Sequence, residues 1–197
     1  MNSILFPKET TQPQNYYFYT QGFSNEELEI IYKGVALLPF KKAIIGENEE
    51  NLQVRTSSIK WIPPNENWFW LYEKMIKLIT EANDALWHFD LHNLTDNIQY
   101  TEYYAENGGH YTWHQDFGPG EMSKRKISIT VQLSDSNEYE GGDLEYFQGG
   151  NIDNAVKAPR GKGVVFIFPS YMMHRVTKIT KGVRRSFVLW VGGEHYK

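Results

Sequence analysis

From Ile98 onward, short apolar–polar alternations are separated by glycine turns, with no helical period between them. This texture restricts the fold more than any other feature. Ile127, Ile129, Val131 and Leu133 alternate with Ser128, Thr130 and Gln132, the period of a half-buried strand. Gly141-Gly142 marks a turn, Leu144 to Phe147 a short strand, Gly163 to Phe168 a fully buried apolar run, and Val183 to Val191 the last strand. Parallel strands need long crossover connections. Strands this close together therefore pair antiparallel, in a sandwich or small barrel.

The first 97 residues read instead as helical support with one strand. Ser24-x-x-Glu27 is a capping box ahead of Leu28, Ile31, Val35 and Leu38, which share one helical face, and Pro39 ends that helix. Val54, Ser57, Ile59 and Trp61 form a strand-like alternation that stops at Pro63-Pro64. Asn65 is then expected to cap a longer helix with a buried stripe of Leu71, Met75, Leu78, Ile79 and Ala82. Phe89 to Gln99 reads as a connection. With no repeat, low-complexity tract or linker, residues 1–197 read as one mainly β domain with N-terminal helices (α+β), divided into 1–97 support and a 98–197 core.

Composition narrows the chemistry. A chain of 197 residues that is 41% hydrophobic can form a core without disulfides or a structural metal. The absence of cysteine excludes Fe–S clusters, thiolate zinc sites and cysteine nucleophiles. A net charge of −4 with no block of like charges disfavours a sequence-independent grip on nucleic acid. No stretch approaches the roughly 18 apolar residues of a membrane span. The apolar start of Met1–Gln14 is broken at Pro7, Lys8 and Glu9, so no signal peptide is expected and the cytoplasm is the default address.

The segment Tyr104 to Asp116 is the most informative. Residues i and i+2 of an extended chain share a face, so His114 and Asp116 can converge on one divalent metal. One more histidine completes a facial triad. His174 follows the buried run and the Pro169-Ser170 corner, where the chain can return to the same barrel mouth. His110 is a competitor, His88 and His92 lie four apart at a helix end where surface or capping roles suit them, and His195 reads as solvated. In the last strand Arg184, Ser186, Val188 and Trp190 share one face, while Val183, Arg185, Phe187, Leu189 and Val191 share the other. Either face turns an arginine inward, and a buried guanidinium requires an anion. With Arg184 inward, a dicarboxylate could bridge metal and arginine; the plainer reading pairs Arg184 with a protein carboxylate.

In this combination the sequence resembles the Fe(II)- and 2-oxoglutarate-dependent oxygenases, and within them the prolyl 4-hydroxylase-like group with its small bacterial and phage-type members. The residues carrying the resemblance are His114-x-Asp116, His174 and Arg184, supported by Arg125-Lys-Ile-Ser128, Glu140-Gly-Gly-Asp-Leu144, Phe168-Pro-Ser170 and Trp190. It is best over about 98–194. The resemblance implies a double-stranded β-helix (jelly-roll, cupin-like) core, with Fe(II) on His114, Asp116 and His174 and the cosubstrate carboxylate on Arg184. Tyr104, ten residues before His114, would hydrogen-bond the cosubstrate, with Ser186 assisting. Some relatives place a second tyrosine after the H-x-D loop; the nearest position here is Val131.

The implied activity is hydroxylation of an unactivated C–H bond, foremost of a prolyl residue in a peptide or protein. It is coupled to O₂ consumption and decarboxylation of 2-oxoglutarate to succinate and CO₂, with ascorbate as a candidate reductant. Tyr111 and Trp113 flank the ligands and are candidates for a substrate groove, with Trp61 a weaker one. Phe117–Lys124 and Gln148–Gly161 read as lids. Three alternatives stay open: a hydroxylase of free amino acids or small molecules; a nucleic-acid demethylase of the alkylation-repair type, disfavoured because those carry a further arginine at a different spacing and a basic face; and a non-catalytic cupin-like metal-binding module.

Overall fold

A computed structural model describes residues 15–42 and 52–196; the Met1–Gln14 stretch read for targeting lies outside them. The first helix, α1 (Asn25–Ala36), carries the expected capping box, in which the Glu27 N–H donates to Ser24 Oγ and the Ser24 N–H to the Glu27 carboxylate. It buries Leu28, Ile31 and Val35. The second, α2 (Phe69–Leu86), buries the expected stripe, but Asn65 is not its cap. The Asn65 side chain closes the preceding turn by accepting from the Asn67 N–H, and the helix starts after Trp68 without a side-chain cap.

The strands are β1 (Tyr17–Tyr19), β2 (Lys41–Lys42), β3 (Arg55–Thr56), β4 (Ser58–Ile62), β5 (Leu91–Leu94), β6 (Ile98–Tyr104), β7 (His110–His114) and β8 (Arg125–Gln132). They continue as β9 (Tyr139–Gly141), β10 (Leu144–Tyr146), β11 (Val156–Lys157), β12 (Val165–Pro169), β13 (His174–Val176) and β14 (Ile179–Gly193). A major sheet runs β1-β12-β8-β14-β6-β4-β2, with β5 and β9 also pairing β14, and a minor sheet runs β11-β10-β13-β7-β3. Tyr103, Phe166 and Phe168 of the major sheet pack on Leu144, Tyr146 and Val176 of the minor one, so the two sheets close face to face as a double-stranded β-helix. The helices cover the major sheet's other face, against Ile62, Ile98, Ile129, Val131, Phe187 and Leu189.

Several sequence readings are refined. The alternation at 54–61 is not one strand: the chain breaks at Ser57, giving β3 to the minor sheet and β4 to the major sheet. The connection at 89–99 contains β5, which pairs with the end of β14. β8 is buried on both faces, because its Ser128, Thr130 and Gln132 face lies inside the jelly roll rather than in water. The loop 117–124 holds a 3₁₀ turn at Gly120–Lys124, and within 148–161 the short β11 pairs with β10. No helix among the described residues is long and apolar enough to cross a membrane.

Candidate metal centre

β7 and β13 are neighbours in the minor sheet, and their register sets His114 directly opposite His174. Beyond β7 the chain turns, and the Asp116 and Phe117 N–H groups both donate to Ser170 O at 3.0 Å, folding Asp116 back beneath the two imidazoles. One donor atom from each of His114, Asp116 and His174 lies within 4.8 Å of the others. Asp116 Oδ1 is 3.8 Å from His114 Nε2, and Oδ2 is 3.6 Å from His174 Nε2. Among the described residues this is the one such His/Asp/Glu group.

The supporting contacts fix how these atoms point. His114 Nδ1 lies 2.7 Å from Thr112 O and His174 Nδ1 lies 2.9 Å from Met172 O. Nδ1–H donation to those carbonyls leaves both Nε2 lone pairs facing Asp116, the tautomer a metal requires. The Ser128 hydroxyl donates to Asp116 Oδ2 at 2.7 Å and is itself 3.0 Å from Ser170 Oγ. Burial opposes ionisation of Asp116. The two histidines, Ser128 and Trp190 outweigh it and hold its carboxyl below the usual range. Burial, then the neighbouring His174, pushes His114 down to about 3. Two imidazoles and a carboxylate are a donor set suited to a divalent first-row metal with open coordination positions.

The alternation in β14 turns Arg184, Ser186, Val188 and Trp190 into the same cavity, while Phe187 and Leu189 join the helix-side core. Arg184 is only 1% exposed. Its Nη1 donates to Ser186 Oγ at a long 3.4 Å, while Nε and Nη2 have no partner. The internal ion pair weighed from sequence does not form; no carboxylate pairs with Arg184 among the described residues. A buried guanidinium with free donors is the environment a ligand carboxylate would complete.

Two tyrosine positions are displaced by one residue from expectation. Tyr104 does not face this cavity: its hydroxyl bonds the Glu102 carboxylate on the opposite face of β6. Tyr103 faces the cavity, pairs with Arg184 across the strands, and has its ring 5.5 Å from the guanidinium. Likewise Val131 packs among the helix-side residues and Thr130 lines the cavity.

Tyr111 stacks on His114 with centroids 3.5 Å apart, and burial pushes its phenol up to about 12. Trp113 lies outside the cavity, in the wall of a neighbouring groove, under Arg175 at 4.7 Å. His110 is turned to Gly108 O and Gln53 O. His88 stands beyond α2 with a positive φ of 53°, and His92 sits on β5 against Asp90 and Glu194, so the two share no helical face. His195 is exposed, 3.3 Å from Ser123 Oγ. Arg55 was missed. From β3 it lines the cavity, donates to Gln99 Oε1 and Ser57 Oγ at 2.8 Å, and stacks over Tyr111; a two-residue strand gives no periodic signal.

Residues 98–192, which hold the triad and Arg184, match the family profile described as the 2OG-Fe(II) oxygenase superfamily. Over those residues the chain is similar to this superfamily. Fe(II), 2-oxoglutarate and O₂ are the superfamily's reagents, and the His–Asp–His group and the open Arg184 donors fit the first two. Similar curated proteins are a PKHD-type hydroxylase of a Synechococcus strain, 34% identical over 87 residues, and one of Teredinibacter turnerae, 38% identical over 93 residues. Those alignments span 44% and 43% of this chain but only 38% of either relative's length.

Among solved structures, a Trichoplax adhaerens prolyl hydroxylase bound to a hypoxia-inducible-factor peptide superposes with a TM-score of 0.73 at 17% identity, covering 90% of this chain and 83% of that one. A Pseudomonas putida prolyl-4-hydroxylase gives 0.69 at 17% identity, covering 91% and 93%. These likenesses establish the double-stranded β-helix fold.

Proposed function

We propose that this oxygenase hydroxylates an unactivated C–H bond of a prolyl residue in a peptide or protein, with 2-oxoglutarate decarboxylated to succinate and CO₂ in the same turnover. The observation that carries the reading is the Arg184 guanidinium, buried, without a carboxylate partner among the described residues, and facing the same cavity as the His–Asp–His group. His114, Asp116 and His174 would hold Fe(II), and Arg184 with Ser186 would hold the distal carboxylate of 2-oxoglutarate. Bound together, iron and 2-oxoglutarate supply the O₂ activation that no side chain of the protein can.

The residues' own work is placement and exclusion. Thr112 and Met172 carbonyls fix the imidazoles, and Ser128 fixes Asp116. Leu144, Val176 and Val188 keep water from the cavity. Tyr103 takes the cosubstrate-side position expected of Tyr104, and Tyr111 forms the wall where cavity and outer groove meet. That outer groove favours a peptide over a free amino acid. The N-terminal strands complete the same sheets as the C-terminal half and the helices pack on the major one, which supports the reading of 1–197 as one domain. A cysteine-free chain suits a reducing compartment, and the cytoplasm belongs to this reading.

The test is anaerobic titration of metal-free protein with Fe(II) and then 2-oxoglutarate, watching for the visible charge-transfer band of a chelated keto acid. The band, followed by succinate release on admitting O₂ with and without ascorbate, is the expected result. His174→Ala should lose iron. Iron binding without a band would instead leave a metal-binding module.

A further inference from the structure

A groove of about 890 Å³ runs along β3, β7 and the end of β13, and meets the metal cavity at Arg55, Tyr111 and Val176. Its lining carries Arg55, Arg175 and Lys178, yet no Asp or Glu among the described residues, in a chain with 24 acidic against 20 basic residues. The three cations differ in how far they are satisfied. Arg175 is neutralised by Glu145, with Nε and Nη2 both 2.7 Å from Oε2, and lies flat on Trp113. Arg55 bonds only neutral partners, Gln99 and Ser57, and no carboxylate pairs with it among the described residues. Lys178 is exposed, with no ion pair among the described residues.

Lys178 also packs against a turn. A Cβ on Gly108 would fall 2.6 Å from its Cε and 3.2 Å from its Nζ, so the lysine stem lies directly on the Gly108 turn, where φ is +60°. The ammonium therefore lies beside that turn in the groove wall. Gly108 is three residues before Tyr111, which stacks on His114; at ~3.3 Å per residue at most, the turn that carries Lys178 lies within about 10 Å of the cavity mouth.

Resting on the hydroxylase reading above, we infer that the groove selects acidic peptide segments. A carboxylate about three residues from the target residue pairs with Lys178, and Arg55 adds attraction at the mouth. Charge complementarity carries the assignment: two cations that no carboxylate pairs among the described residues, aromatic walls from Tyr111 and Trp113, and no carboxylate among the described lining residues leave an acidic, extended segment as the fitting occupant. A neutral proline-rich segment would gain the walls but leave both cations unpaired.

The experiment uses the full chain loaded with Fe(II) and 2-oxoglutarate under nitrogen, and a fluorescein-labelled decapeptide with a central proline and glutamates three residues to either side. Anisotropy should show it binding about tenfold more tightly than its Gln counterpart at low salt, with the preference shrinking as ionic strength rises. Lys178→Glu should reverse the order of the two peptides while leaving the charge-transfer band unchanged; Lys178→Gln should only level them. Equal affinity for both peptides in the parent protein, or a preference that survives Lys178→Glu, overturns the inference even if the band is present. Absence of the band refutes the oxygenase assignment instead, and the anisotropy still decides the groove's preference.

Discussion

Replacing Arg184 by Met should make the ligand-free protein more stable and the cosubstrate site useless. The guanidinium is 1% exposed, with Nε and Nη2 unpartnered and Nη1 on a weak 3.4 Å contact. Exchanging a buried charge for an apolar chain of similar reach is often neutral or stabilising by about 1–4 kcal/mol. At ~2–4 °C per kcal/mol for a domain of this size, the melting temperature should rise by roughly 2–15 °C. Binding moves the other way. Two charge-assisted hydrogen bonds to a carboxylate, about 1.5–3 kcal/mol each, amount to a loss of 10²-fold or more in 2-oxoglutarate affinity. Scanning fluorimetry without ligand reads the first effect and titration of the charge-transfer band the second. Saturating 2-oxoglutarate should raise the parent's melting temperature and leave that of Arg184→Met unmoved. A variant that melts lower and still binds 2-oxoglutarate like the parent refutes the reasoning, because Arg184 would then have a protein partner.

Three further outcomes are open to test. Tyr103→Phe should weaken 2-oxoglutarate several-fold in the band titration while Tyr104→Phe leaves it unchanged; the opposite result would restore Tyr104 to the cavity. Gly142→Ala places a Cβ 2.8 Å from Ile179 Cγ1 and 3.3 Å from Arg184 Cδ at a φ of +62°, so it should cost at least about 1–2 kcal/mol in urea unfolding and lower cosubstrate affinity as well. Burial, reinforced by Glu138, raises the Tyr32 phenol to about 12 against an ordinary 10, while its hydroxyl donates to Leu133 O. The unfolded chain therefore ionises first, so this contribution is intact below pH 10 and lost as pH rises toward 12. Tyr32→Phe should cost about 1 kcal/mol at pH 8 and flatten the alkaline decline, read from unfolding midpoints across that range.

The ligand set was legible because its chemistry and its geometry agree. Two imidazoles and a carboxylate are distinctive donors, and the β14 alternation that sends Phe187 and Leu189 to the helices necessarily sends Arg184 and Ser186 the other way. A period of two says which residues share a face but not what lies beyond it. Ser128 and Thr130 looked solvent-facing for that reason, although their face forms the inside of the jelly roll. Spacing across a turn is weaker still. Tyr103 and Tyr104 differ by one residue and therefore by a whole face, and the turn at Ala105–Asn107 absorbs the extra residue without a trace in the motif. Arg55 was invisible because its position comes from the break at Ser57, a tertiary event between two sheets.

β14 follows β6 and β8 in the chain, yet it lies between them in the major sheet. Until it inserts, each of those strands presents a bare edge of backbone donors and acceptors, and the gap is flanked by Ile129, Val131 and Tyr100. Assembly thus leaves its central seam to a late, long-range pairing, the class of event that is slow and exposes chains to one another. The strand that delivers Arg184 to the cavity is also the one whose delay would turn nascent chains toward aggregation. Substitutions that disturb its apolar face should therefore show first as lost soluble yield, before any change in the site can be measured.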